Sequence, residues 1–329
     1  ARVAVAAEAE PRLSRLVPWI ITLFALVTAG IAVWRYVHTA PPPPRALVRF
    51  TLSLPDGLNV AATGAPVAVS NDGSLVALAA CRRAQATSGG ATACGIYLRP
   101  LSQVEPTLVA GTTGGASPFF SPDGRSLGYF ASGRLHTIAL GGGSPVTIAA
   151  APEPLGAAWL GDDQIVFARS AAEGLFLVGE TGGRVQALTT PAPGEGGHRW
   201  PAAAPAGSVV VFTAAAARDY AGAMSMRTRA WGRLLDDVTA VRVPVPGYLL
   251  GQRGSDLVAG AFDENVRSTG GLPVAVMSFE SALHAPQFAM SAAGTLVAAM
   301  PGASAVQVVL DWTGELRRLV PLPQPALPR

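Results

Sequence analysis

The feature that most constrains this chain is a short strand–turn unit that keeps returning. Its clearest copy runs from Ser117 to Ala150, SPFFSPDGRSLGYFASGRLHTIALGGGSPVTIAA. Phe119-Phe120 leads into Ser121-Pro122-Asp123-Gly124, and a brief apolar run, Leu127 to Ala131, follows. A second turn at Ser132-Gly133, a strand through Leu135, Ile138 and Leu140, a triple glycine and an apolar run from Val146 complete the unit. Proline presets φ at the first central turn position, Asp bonds back to nearby backbone, and Gly tolerates positive φ. Apolar runs this short, bounded this way, read as β-strands. Four such strands cannot bury both faces alone, so the unit needs neighbours like itself.

Decayed copies supply them. They read VAVSNDGSLVALAA (67–80), AAWLGDDQIVFA (157–168), WPAAAPAGSVVVFTA (200–214), VRVPVPGYLL (241–250) and FAMSAAGTLVAA (288–299). Gly73, Gly124, Gly207, Gly247 and Gly294 mark five turns and Asp163 the sixth; the repeat turn is richest at Asp72, Gly73, Asp123 and Gly124. From Gly73 to Gly294 the spacing is about 44 residues per unit, within the range of four-stranded propeller blades. The second half of a unit recurs at 96–109, 135–148, 175–188 and 306–319, each read as strand, turn and strand. The expected fold is all-β: a propeller of six recognisable units over 47–329, preceded by one transmembrane α-helix. A two-layer sandwich is the alternative, disfavoured by the regular spacing. Ring closure is left open: 47–54 could complete the last unit or begin its own.

Ahead of the repeats, Leu16 to Trp34 holds nineteen residues without a charge, close to the ~20 that cross a bilayer core as a helix. Trp19, Trp34 and Tyr36 sit where an interfacial aromatic belt would, and Arg15 and Arg35 bracket the run. The expectation is a cytoplasmic stub at 1–14, a membrane-spanning helix at 15–36 and a proline-rich spacer at 37–46 containing Pro41 to Pro44. A signal peptide is one alternative, but its apolar region would be shorter; a buried globular helix is another, and the proline-rich stretch after it argues against close packing. Arginines on the two sides nearly balance, so charge alone leaves orientation open. The chain starts with Ala and stops in a proline-rich tail, and truncation at both ends is expected.

Composition excludes several chemistries. The net charge of +3 over 329 residues implies no nucleic-acid patch. All 24 basic residues are arginine. Without lysine, a Walker A phosphate site, a Schiff base and the ATP-pairing lysine of a protein kinase are all impossible. Gly124-Arg125-Ser126-Leu127-Gly128 fits G-x-S-x-G, yet it enters a strand where a hydrolase elbow would enter a helix. His38, His136, His198 and His284 stand apart from one another without metal-ligand spacing. Asp56, Asp72, Asp123, Asp162 and Asp163 read as turn residues, with a cation at Asp162-Asp163 as the lesser reading. No catalytic residue, metal or cofactor is expected. Cys81 and Cys94 flank a polar loop between two strands and are a disulfide candidate if the domain lies outside the cytoplasm, where the bond would stabilise by about 3 kcal/mol; two free buried thiols are the alternative.

The stretch 117–143 resembles the WD40-like "PD40" repeat of TolB-type propellers. The order of an apolar helix, a proline spacer, VRFTLSLPDG (48–57), IYLRPL (96–101), the SPDG unit and GEGGHRWP (194–201) resembles the extracytoplasmic half of bacterial transmembrane serine/threonine protein kinases. The resemblance implies a missing N-terminal kinase domain, a single-pass protein of the bacterial cell membrane, and a propeller outside the cytoplasm. His198-Arg199-Trp200 belongs to the repeat and is no HRD motif. The chain itself is then a non-catalytic sensor or protein-interaction propeller, binding a protein or small molecule of unknown identity, with self-association through the span as one route for a signal. The alternatives are the gating propeller of a prolyl oligopeptidase-type serine peptidase and a TolB-like envelope scaffold. The turns that lost their Asp, at Pro205-Ala206-Gly207 and Ala292-Ala293-Gly294, depart from the repeat pattern.

Overall fold

In the best-kept repeat, Ser121 Oγ donates to Asp123 Oδ1 at 2.6 Å, and Asp123 Oδ1 also accepts the Arg125 N–H at 3.0 Å. Ser126 N–H donates to Ser121 Oγ at 2.9 Å, and Gly124, at φ 71°, closes the turn on the Ser121 carbonyl. Ser70, Asp72, Gly73 and Ser74 build the same knot one repeat earlier. Where Asp is lost the turn survives. Gly294 N–H reaches the Ser291 carbonyl at 3.1 Å with Thr295 N–H on Ser291 Oγ, and Gly207 N–H reaches the Ala204 carbonyl at 2.8 Å. All six marker residues, Asp163 included, lie in the left-handed region, so backbone geometry outlasts the side chain that stabilises it.

The computed structural model describes residues 17–38, 47–82, 93–265, 268–271, 273–278, 286–300 and 302–322. The stub at 1–14, the proline run at 41–44 and the centre of the cysteine-flanked loop lie outside the described residues. Contacts divide the chain into Ala1–Pro44 and Arg45–Arg329.

The second unit contains six antiparallel sheets among the described residues. Blade 1 is built on Leu75–Arg82 and Ala93–Pro100, with Val67–Val69 innermost. Blade 2 runs Ala116–Phe120, Ser126–Ala131, Arg134–Ala139, Val146–Ala150. Blade 3 runs Ala157–Trp159, Gln164–Phe167, Phe176–Gly179, Gly182–Ala187, and blade 4 Gly197–Ala203, Val209–Ala215, Tyr220–Ser225, Trp231–Asp236. Blade 5 starts at Thr239–Arg242, continues through Tyr248–Arg253 and Asp256–Asp263, and ends on Ser268–Thr269 and Val274–Ser278. Blade 6 has Phe288–Met290, Leu296–Ala299 and Ala305–Leu310, and its outer strand is Val48–Ser53, from the other end of the unit. Residues 47–54 therefore complete the last blade, which answers the question of closure.

The core explains why the strands are apolar on both sides. In Leu75–Arg82, Val76, Leu78 and Ala80 pack against blade 6, while Ala77 and Ala79 pack against blade 2. Successive side chains of a strand point to opposite faces, and here each face meets another sheet. The same arrangement recurs round the ring in six apolar clusters, one per blade junction. Radial stacking buries both faces and leaves short edges. A two-layer sandwich would have given one shared core.

Two expectations need correction. Residues 306–319 were expected to form strand, turn and strand. Ala305–Leu310 is a strand, but α2 follows at Trp312–Leu319. The slot for a fourth strand is occupied by Val48–Ser53, and Trp312, Leu316 and Val320, four residues apart, bury against blades 5 and 6. The second correction concerns the membrane span at 15–36, which is not supported. A helix forms, α1, Val17–His38, but among the described residues no helix is long and apolar enough to cross a membrane. Its side chains from 21 to 31 are all exposed, Phe24 at 70%.

Candidate functional site: the axial channel

The innermost strands of the six blades face a common axis. Val69, Phe120, Trp159, Ala203, Arg242 and Met290, one from each blade, line a channel of about 220 Å³. The repeat turns surround its continuation, where Asn71, Ser121, Gly161, Gly207 and Ser291 line a further space of about 200 Å³. Neighbouring turns touch: Thr295 Oγ1 donates to the Gly73 carbonyl at 3.4 Å, and Ala293 N–H to the Asn71 carbonyl at 3.3 Å. One mouth of the channel is thus made by the turns that mark the repeat.

Three innermost strands are bulged. Register slips between Ala116 and Phe119, between Arg199 and Ala202, and between Thr239 and Arg242. Each bulge holds a non-glycine residue at positive φ: Ser117 at 48°, Trp200 at 54° and Ala240 at 53°. Each is tied down by other parts of the chain. Ser117 Oγ accepts the Ala65 N–H at 3.1 Å, Trp200 N–H donates to the Leu155 carbonyl at 2.7 Å, and Ala240 N–H donates to Thr213 Oγ1 at 2.9 Å. A bulge re-aims side chains, and these three set what lines the channel.

Arg242 is the one charged side chain in the channel lining. Its Nη1 donates to the Val241 carbonyl at 2.9 Å and to the Trp200 carbonyl at 3.3 Å. Burial pushes the guanidinium down to about 10, because a charged group surrounded by protein loses hydration. The sequence reading missed Arg242. It is one of 24 basic residues, and the inner strand of blade 4 carries an arginine too, Arg199, so no local signal set it apart.

The residues singled out beforehand lie elsewhere. His198 is buried, with Nε2 donating to Glu195 Oε2 at 3.1 Å and Nδ1 accepting from the Thr189 hydroxyl at 2.7 Å. Its ring packs between Phe212 and Trp231 at 4.5 and 4.7 Å. Tyr220 donates to Glu195 Oε1, and the Ala192 N–H to Glu195 Oε2 at 2.6 Å. Burial pushes Glu195 up, but the bonds from Tyr220, Ala192 and His198 outweigh it and hold the carboxyl below its ordinary range. Burial lowers His198 despite Glu195 beside it, and burial with Glu195 pushes Tyr220 up to about 12. Thr189, His198 and Glu195 have the order of a hydroxyl–imidazole–carboxylate relay. However, the Thr189 hydroxyl is buried and also accepts the Leu175 N–H at 2.8 Å, so the set works as a latch joining blades 3 and 4.

His136 stacks on Tyr129 at 5.3 Å and bonds Thr147 and the Ala131 carbonyl. His38 ends α1; its side chain, and all of His284, lie outside the described residues. Ser126 opens a strand with no elbow, and a Cβ at Gly128 would stand 2.1 Å from the Phe119 ring. That glycine serves packing. Cys81 and Cys94 face each other across adjacent strands and form a disulfide. Among the described residues no group of three or more His, Cys, Asp or Glu could hold a metal.

No family model matches the chain, and no curated protein matches it. Solved structures do. The fold defines a six-bladed β-propeller of the TolB and WD40 kind. TolB from Acinetobacter baumannii is 14% identical, with 79% of this chain and 70% of that one covered and a TM-score of 0.51. The β-propeller domain of Cps50 (Swd1) from Myceliophteria thermophila is 12% identical, with 78% and 98% covered and a TM-score of 0.53. At these identities the likeness is one of fold.

Proposed function

We propose that this chain is a non-catalytic interaction propeller, placed outside the cytoplasm at a bacterial cell membrane, and the sensing half of a receptor-like serine/threonine protein kinase. The observation that carries the binding role is the axial channel, a concavity with mostly apolar side chains, exposed polar backbone and one placed charge. The outside location is supported by the Cys81–Cys94 disulfide, a bond that persists in oxidising compartments. Membrane attachment is supported by α1, where an uncharged run carries exposed side chains at every position from 21 to 31. Exposed apolar side chains such as Ile21, Leu23, Phe24 and Leu26 favour contact with an apolar surface. The kinase assignment rests on the order of motifs at 48–57, 96–101, 117–143 and 194–201.

The binding role is tested by placing a photo-crosslinking residue at Ala203, in the channel, and comparing it in cells with the same residue at Val104, which is 81% exposed on a loop. A discrete adduct from Ala203 alone is expected; identical patterns from both positions overturn the role. Fractionation with and without residues 1–44 tests attachment, and full-length protein that leaves the membrane pellet in carbonate overturns it. The reading frame upstream tests the parent: a kinase domain supports the assignment, whereas a hydrolase domain following the propeller would favour a peptidase gate.

A further inference from the structure

Two arginines of the propeller meet carboxylates at short range. Arg199 is paired with Asp219, and Arg169 Nη2 meets Glu173 Oε1 at 2.6 Å. Arg242 does not, and neither does Arg99, which is buried on the carbonyls of Ser53 and Gln103; of the two, Arg242 lines the channel. The channel lining contains no Asp or Glu. Among the described residues the guanidinium has two carbonyl oxygens on Nη1, and no acceptor on Nε or Nη2. Arg242 is half-buried, and these two nitrogens stay accessible from the channel with no counter-charge in its lining. A planar fork with two unengaged N–H-bearing nitrogens matches a carboxylate, which it binds through paired, charge-assisted hydrogen bonds.

The surroundings narrow the choice. Phe120, Trp159, Trp200 and Met290 contribute apolar and aromatic side chains to a wall that also exposes polar backbone. A heavily hydrated polyanion would lose water there with one cation to compensate. The channel's about 220 Å³ lies below the ~300–1,000 Å³ of drug-sized ligand sites, so it has room for one side-chain-sized group. The bulge at Ala240 is the device that sends Arg242 to the axis, since the register slips between Thr239 and Arg242.

We infer that the axial channel is a carboxylate-binding site anchored by Arg242, taking one small monocarboxylate group on an apolar or aromatic body. The inference rests on the binding role proposed above and deepens it. The carboxylate comes either from a free small acid or from an acidic side chain of a partner, and the chemistry at Arg242 is the same.

Titration of the full-length protein tests this, with tryptophan fluorescence and calorimetry as readouts, because Trp159 and Trp200 line the channel. Benzoate should saturate a single site, and benzamide, equal in shape but neutral, should bind at least tenfold more weakly. Arg242→Gln should lose at least tenfold for benzoate, with Arg242→Lys retaining part. The peptides acetyl-Gly-Glu-Gly-amide and acetyl-Gly-Gln-Gly-amide form the second arm. Tighter binding of the Glu peptide than of benzoate assigns the site to a partner's side chain, and the reverse assigns it to a free acid. Equal binding of benzoate and benzamide, or of neither, by the unaltered protein overturns the inference whether or not the variants fold. A crosslinked partner retained by a folded Arg242→Gln protein would leave the binding role standing and sink the carboxylate anchor alone.

Discussion

Leu52 lies directly opposite Val306 in the last blade, and both are buried. The pairing joins the first strand of the propeller to its last hairpin, so closure of the ring depends on contacts between strands about 250 residues apart in sequence. Leu52, Leu54 and Leu58 then share one cluster with Val76, Leu78 and Val308.

Leu52→Ala should therefore destabilise by about 2–4 kcal/mol, the cost of a large-to-small change in a packed core. Urea unfolding followed by tryptophan fluorescence measures it. A loss under about 1 kcal/mol would mean that the closing strand is peripheral to stability.

The latch around His198 predicts a pH dependence. Burial holds the folded imidazole below its ordinary value of 6.5, so the unfolded chain takes up its proton first. Stability from this group is complete above about pH 6.5 and declines as pH falls below it. Glu195, held low, adds a second loss as pH falls through its own folded value, below the ordinary 4.5. His198→Gln should flatten the unfolding midpoint between about pH 6.5 and 5 while leaving the more acidic loss. Unfolding curves across pH 4 to 8 would show it, and a wild-type midpoint that is flat below pH 6.5 contradicts the latch.

Two glycines with the same turn geometry should respond differently to alanine. Gly124, at φ 71°, has only Ser70 Cβ nearby, 3.9 Å from where its Cβ would stand. Gly124→Ala should therefore cost about 1–2 kcal/mol, the backbone penalty alone. At Gly73 the added Cβ would fall 2.4 Å from Thr295 Oγ1, so Gly73→Ala should cost more. Thermal unfolding of the two variants compares them directly, and equal losses would show that the blade 1 and blade 6 turns do not bear on each other.

The disulfide closes a loop with a sequence separation of 13. Replacing Cys81 and Cys94 by Ala together should cost about 3 kcal/mol by loss of loop constraint. Thermal unfolding with and without reductant checks the size, and mass spectrometry of non-reduced peptides from cells checks the bond. Free thiols on both residues there would remove the main support for an outside location.

Some of this molecule could be read in one dimension because its causes are local. Ser121, Asp123 and Gly124 form their turn among themselves, and the turns at Gly207 and Gly294 persist without Asp because φ at glycine is enough. The two-residue alternation of Val76, Leu78 and Ala80 against Ala77 and Ala79 likewise requires only a strand. The candidate site was far less readable. His198 stood out by residue type and proved to be a blade-joining latch, whereas Arg242 looked like one more arginine. Nothing within a few residues of it reports that its strand is innermost or that a bulge precedes it.

The amino-acid order alone settled the strands, the turns and their spacing of about 44 residues, because hydrogen bonds across four residues and side-chain alternation need no distant partner. Only the folded ring decided that Val48–Ser53 would complete blade 6, that the segment after Leu310 would become a helix, and that an arginine would stand unmatched on the axis. Those outcomes depend on which surfaces are already covered once six sheets have packed, and that is a property of the closed assembly rather than of any stretch of chain.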